Sequence, residues 1–362
     1  MKKVGVLTFH RAVNYGAVLQ AYALVQTLKK IGMDAEIIDY RNEKIEESYY
    51  KISGFSNNLK SIIRNIILFP TQRKRNNAFK KCIEEHFAVS NVKYTKNNIY
   101  DANEVYDLII TGSDQVWNLP CTGGDKTFFL DFVKDDEKKY SYAASFGKIK
   151  NEEAKYDEYF KLIEKLKCVS VREESGKEFL IKNINKDIRM DIDPVFLLKQ
   201  DEWKKFAKKT DLKNYVLLYS VNLPNEVIEY ARRITKQLGK KLVIITLRNR
   251  KLKLLKNEIN CSCCMPDEFV GLINCADMVI TNSFHGTAFS IILHKKFVVV
   301  RNSENKMGMD NSRLDNILNL LKLSDRISEN VDIYENINYI CVDEATNRLK
   351  QNSLKYLNML KE

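Results

Sequence analysis

The chain has 362 residues, 44% of them hydrophobic and 29% charged, with a formal net charge of +12. That length accommodates two cored domains, and the composition excludes a disordered or fibrous chain. The positive balance favours anionic partners: phosphorylated substrates, nucleic acid or an acidic membrane surface; with the motifs below, no nucleic acid partner is expected.

In chain order, Val4 to Thr8 reads as a strand and Phe9 to Gly16 as a polar loop. Val18, Leu19, Tyr22, Val25 and Leu28 then recur at helical spacing through Lys30. Gly32 ends that helix, and Ala35 to Tyr40 returns as a strand, so the chain opens with a βαβ unit. Asn14 and Gly16 lie in the loop after a first strand, just before a helix N-terminus. Close approach of the backbone to a charged group suits them there, and a plain tight turn is the equal alternative.

Leu59 to Phe69 carries apolar residues at helical spacing and is followed by Gln72-Arg-Lys-Arg75 and Lys80-Lys81. The preferred reading is a solvated basic helix face; the alternative is an amphipathic segment touching anionic lipid. Tyr106 to Thr111 reads as a strand leading into a turn with Ser113 and Asp114, both candidate ligand contacts. Lys139 to Phe146 is a strand, Asn151 to Lys167 a helix, and Cys168 to Val171 a strand with a helix from about Lys177. Arg172 follows that strand, where a guanidinium grips a carboxylate or phosphate by two parallel bonds; the alternative is a surface ion pair with Glu173 or Glu174. Ile188 to Ile192 is a short strand broken by Asp193-Pro194.

A domain boundary is expected near Lys199, dividing the chain into 1–199, the expected acceptor side, and 200–362. The alternation restarts with strands at Tyr215 to Val221 and Leu242 to Leu247 around a helix from Val227 to Leu238. A helix over Pro266 to Asn274 follows. Met278 to Ile280 is a fully apolar run, as for a strand buried on both faces. The turn Thr281-Asn-Ser-Phe-His-Gly286 and an apolar helix, Ala288 to Leu293, come next. Asn282, Ser283 and His285 therefore sit at the carboxyl edge of a sheet, where open α/β folds bind ligands. Asp107-Leu-Ile-Ile-Thr-Gly-Ser113 resembles Asp277-Met-Val-Ile-Thr-Asn-Ser283, as two similar halves facing one cleft would require. Phe297 to Val300 is a strand ending at Arg301, 302–312 a flexible loop with Gly308, and Arg313 begins a helix. The terminal helix, from about Glu344, is expected to pack back on the first domain.

No apolar run approaches the ~18 residues of a membrane span, and Met1-Lys-Lys-Val-Gly-Val6 enters a strand directly, so a cytoplasmic protein is expected. Eight cysteines then read as reduced thiols. Cys261, Cys263, Cys264 and Cys275 lack paired C-x2-C spacing, and no metal is expected.

Taken together, Thr8-Phe-His-Arg-Ala-Val-Asn-Tyr-Gly-Ala-Val-Leu-Gln-Ala-Tyr-Ala-Leu24, Gly112-Ser-Asp-Gln-Val-Trp117, Tyr142-Ala-Ala-Ser-Phe-Gly147, Val169-Ser-Val-Arg-Glu173, Asp193-Pro194 and Thr281-Asn-Ser-Phe-His-Gly286 resemble the polysaccharide pyruvyl transferases. The resemblance implies an α/β fold of two Rossmann-like domains facing one cleft, similar to the GT-B glycosyltransferases. It implies phosphoenolpyruvate as donor substrate, no cofactor, and a sugar acceptor, a lipid-linked glycan among the candidates, with a peripheral seat at the inner membrane surface in that case. It gives His285 and Arg172 catalytic roles. The family's arginine two residues before the histidine is replaced here by Ser283, and Arg301 or Arg313 is the expected substitute. Chemically, a histidine that titrates near neutrality suits proton delivery to an enol methylene, and arginines suit a carboxylate and a leaving phosphate. A nucleotide-sugar-dependent glycosyltransferase and a noncatalytic glycan-binding protein are the alternatives.

Overall fold

The computed structural model describes residues 1–49, 59–149, 153–247, 252–301, 311–329 and 331–361. Seven strands make one parallel sheet: β1 (Lys3–Leu7), β2 (Asp34–Tyr40), β3 (Val89–Tyr94), β4 (Leu108–Asp114), β5 (Lys139–Ala144), β6 (Val169–Val171) and β7 (Ile188–Met190), in the order β3-β2-β1-β4-β5-β6-β7. Five more make a second: β8 (Tyr215–Tyr219), β9 (Lys241–Ile245), β10 (Glu258–Asn260), β11 (Met278–Thr281) and β12 (Lys296–Val299), in the order β10-β9-β8-β11-β12. The helices that matter for the site are α1 (Tyr15–Lys30), α2 (Leu59–His86), α3 (Glu174–Asn183), α4 (Pro266–Cys275), α5 (Phe284–Ile292), α6 (Ser312–Leu320) and α7 (Tyr339–Met359).

The strand order of the second sheet repeats that of the first five strands of the other. The sequence likeness between Asp107–Ser113 and Asp277–Ser283 has a matching register. Thr111 of β4 lies opposite Leu7 of β1, and Thr281 of β11 opposite Tyr219 of β8. The amide of Asp107 donates to Lys3 O and that of Asp277 to Tyr215 O. Both strands are buried along their length, and each begins with an apolar run, Leu108–Ile110 and Met278–Ile280. Each borders the point where its sheet's strand order reverses, and a crevice opens there at the carboxyl ends. The fold is thus a mixed α/β architecture of two parallel, Rossmann-like sheets.

The halves share a core. Tyr15, Val18 and Leu19 of α1 pack with Tyr215, Phe269 and Phe289 of the second half. The ring of Tyr15 stacks on Phe269 at 4.4 Å, and its hydroxyl donates to Cys264 O at 3.0 Å. Helix α2 also reaches across, with Phe79, Cys82 and Ile83 in the same core. Helix α7 returns to the first half: Tyr356, Leu357 and Leu360 pack with Val4, Val6 and Ile110, and Ser353 donates to Asp191 at 2.9 Å.

Several expectations are corrected. Ser113 and Asp114 are the last residues of β4, not a turn after it. His285 stands in the first turn of α5, not before it. The helix after β6 starts at Glu174, and that expected over 151–167 is regular from Asp157 to Glu164. Strands β3 and β10 were not anticipated; both are edge strands with few apolar residues. Of the basic run, Arg75 is buried while Arg73 and Lys74 are exposed. The side chains of 59–67, and residues 302–310 of the loop expected over 302–312, lie outside the described residues. No helix among the described residues is long and apolar enough to cross a membrane.

Candidate active site between the two sheets

The site is assembled from strand ends and helix starts. After β1, Asn14 caps α1, its side-chain oxygen accepting from Gly16 N at 3.0 Å. Gly16 is required by a neighbour from the other half: a Cβ there would collide with the ring of His285. Gly286 is required for a related reason. A Cβ on it would strike Thr281 Oγ1, so glycine lets α5 start directly on β11 and places His285 at the sheet edge.

His285 is 7% exposed. Its Nε2 stands 3.5 Å from Asp193 Oδ2, and Phe284 meets its ring edge-on at 5.1 Å. The same Asp193 oxygen accepts from Arg172 Nη1 at 2.8 Å, while Asp193 Oδ1 accepts from Val195 N at 3.1 Å. One buried carboxylate thus links the histidine of the second half to the arginine of the first. Burial pushes the Asp193 carboxyl up, but His285, Arg172 and the Val195 amide outweigh it and hold the group at about 2.

Arg172 is also buried. Glu173 lies 3.5 Å from its Nε and Asp114 3.7 Å from its Nη2, and its guanidinium lies 5.3 Å from the Phe284 ring centre. Desolvation lowers its proton affinity, yet the carboxylates of Asp193, Glu173 and Asp114 raise it above the ordinary arginine value. Among the described residues neither its Nε nor its Nη2 donates a hydrogen bond.

The predicted residues divide into those brought together and those not. Gly16, Asp114, Arg172 and His285 converge, with Asn14 one turn away. Arg313, on α6, lines the pocket beside Arg172, Phe284 and Asp193, and the Gln115 carboxamide oxygen, in the orientation its neighbours dictate, accepts from both Arg313 Nη atoms at 3.1 Å. Arg301 does not join them: it is exposed and donates to Asp315 at 2.7 Å. Ser113 is fully buried, its hydroxyl donating to Ala143 O at 2.8 Å. Asn282 is buried, and Ser283 accepts from the Thr287 amide through its carbonyl.

Sequence reasoning missed Asp193, Glu173, Gln115 and Phe284. In the sequence Asp193 reads as a strand breaker, and Glu173, like Glu174, enters only in the alternative of a surface ion pair with Arg172, though each stands in a motif quoted above. Glu173 is in fact buried. The cysteines are free thiols, and among the described residues no group of three or more His, Cys, Asp or Glu is placed to hold a metal ion.

The model of the polysaccharide pyruvyl transferase family matches residues 14–304. Among solved structures, the chain is similar to the Methanocaldococcus jannaschii UDP-GlcNAc 2-epimerase in complex with UDP-GlcNAc and UDP. The TM-score is 0.52 at 12% identity, over 97% of this chain and 93% of that one. The Neisseria meningitidis UDP-GlcNAc 2-epimerase bound to UDP-GlcNAc gives 0.48 at 11% identity, over 100% of both chains. At such identities the first likeness concerns the fold alone. No curated protein sequence matches the chain.

Proposed function

Because the chain belongs to the polysaccharide pyruvyl transferase family, we propose that it transfers pyruvate from phosphoenolpyruvate to a pair of sugar hydroxyls, forming a ketal in polysaccharide biosynthesis. The observation that carries this reading is the Arg172–Asp193–His285 chain, which joins a proton donor to an anion-binding group across the two halves.

In this reading the donor lies where the N-terminal turns of α1 and α5 meet. Both helix ends favour negative charge there. The unused Nε and Nη2 of Arg172, with Arg313 on the pocket wall, meet its carboxylate and phosphate. His285 delivers a proton to the methylene carbon, which becomes a methyl group. The neighbouring carbon turns electron-deficient, and one sugar hydroxyl adds to it. The second hydroxyl then displaces phosphate and closes the ring. Asp193 holds the imidazole in line. Arg313 takes the place of the arginine that Ser283 replaces.

The test is phosphate release from phosphoenolpyruvate across lipid-linked and nucleotide-linked sugars. His285→Ala is expected to slow release by roughly 10²–10⁴-fold, the usual worth of a positioned acid, while donor binding by calorimetry changes little. His285→Gln should be nearly as slow. Release of a nucleoside diphosphate from a nucleotide-sugar, with phosphoenolpyruvate untouched, would replace this reading with that of a glycosyltransferase.

A further inference from the structure

Glu173 is 3% exposed, and among the described residues neither of its carboxylate oxygens accepts a hydrogen bond. Buried carboxylates are normally satisfied; Arg172 Nε, 3.5 Å away, makes an ion pair but no hydrogen bond, so the oxygens of Glu173 keep room for further donors. Glu173 lines a pocket between the halves together with Arg172, Phe284, Arg313, Asn316 and Asn352. Beside the two arginines that hold the donor, a carboxylate, two carboxamides and one partly exposed aromatic face are the chemistry that takes a pyranose. The polar groups meet hydroxyls, and the ring meets the C–H face. A second anion is disfavoured here, because Asp191 and Asp193 line the same pocket as Glu173.

We infer that this pocket is the acceptor-sugar subsite, and that Glu173 receives the hydroxyl pair and takes the proton of the attacking hydroxyl. This rests on the proposed pyruvyl transfer. The two oxygens of Glu173 accept from two hydroxyls of one sugar, which places that diol beside the donor that Arg172 holds. As the hydroxyl oxygen bonds to the electron-deficient carbon, its O–H proton passes to Glu173. Phosphate later leaves with the C–O bonding pair and takes up a proton from Glu173. Of the two hydroxyl protons lost overall, one balances that delivered to the methylene carbon and the other departs with phosphate.

The experiment is calorimetric binding of methyl β-galactopyranoside, methyl β-glucopyranoside and methyl α-mannopyranoside, without phosphoenolpyruvate, to the native chain, Glu173→Gln and Asn316→Ala. Saturable binding of at least one glycoside is expected. Each substitution should weaken it, Glu173→Gln by roughly tenfold or more, as for a hydrogen bond to a charged group. Phosphoenolpyruvate affinity should stay within about twofold. Asn316 is only partly buried, so its variant keeps the test open if Glu173→Gln does not fold. Binding of no glycoside, unchanged binding in Asn316→Ala, or loss of phosphoenolpyruvate affinity instead would each overturn the assignment. Glycoside binding through Glu173 with no phosphate release from any acceptor would retain the subsite and remove the pyruvyl-transfer reading.

Discussion

Gly16 and His285 come from different sheets and touch: the second residue of α1 has no side chain because the imidazole at the start of α5 occupies its place. Locally, alanine would suit this helical position better, by about 1 kcal/mol. Tertiary contact reverses that preference. Gly16→Ala is therefore expected to destabilise the chain by about 1–3 kcal/mol, as overpacking does, and to lower turnover by about 10²-fold, the cost of a displaced reacting group. Near-native turnover would mean that His285 need not be held at Gly16.

Asp193→Asn should damage both stability and activity. It leaves buried Arg172 without its 2.8 Å partner, and breaking a buried pair costs roughly 3–5 kcal/mol. The pH dependence follows from the depressed carboxyl, at about 2 against an ordinary 3.8. The carboxylate's contribution is complete above the unfolded value and is lost as pH falls through about 2. Denaturation curves should thus separate native and variant widely near neutrality and converge in acid between these values. A constant gap across that range would locate the acid-labile contribution elsewhere.

Tyr15 measures how firmly the halves are joined. Tyr15→Ala removes a ring stacked on Phe269 and should cost about 3–5 kcal/mol, as large core truncations do. Tyr15→Phe keeps the ring and loses the bond to Cys264 O, a difference of about 1 kcal/mol. Chemical denaturation of the two variants checks the order, and equal losses would contradict it.

The basic run after Phe69 is not uniform. Arg75 is 5% exposed, and burial lowers its proton affinity. Arg75→Ser should destabilise the chain by roughly 1–3 kcal/mol, the cost of losing a buried polar group's bonds. Arg73→Ser with Lys74→Ser should stay within about 0.5 kcal/mol, as exposed substitutions do. If this face meets anionic lipid, flotation with acidic vesicles should fall in the exposed double variant, and equal flotation would discard that idea.

Most of the architecture was legible because burial writes itself into one dimension. Val4–Leu7, Leu108–Ile110 and Met278–Ile280 carry no polar side chain on successive residues because both sheet faces are covered. The turn-formers after them mark the carboxyl edges where His285 and Arg172 stand. The repeat between Asp107–Ser113 and Asp277–Ser283 announced two equivalent strands, and the structure gives them equivalent neighbours. Edge strands such as β10, with Ile259 as its single apolar residue, lack that signal.

What the sequence by itself determined was local: most of the strands and helices, and which residues have the chemistry to move a proton or hold an anion. Tertiary structure decided the rest, because partners far apart in the chain meet only through the mutual orientation of the two sheets. That orientation set Gly16 against His285 and made Asp193 the shared neighbour of Arg172 and His285. It drew Arg313 to the pocket, and it left Arg301 on the surface with Asp315. Hydrophobic periodicity reports whether a side chain is covered; it carries no term for what covers it.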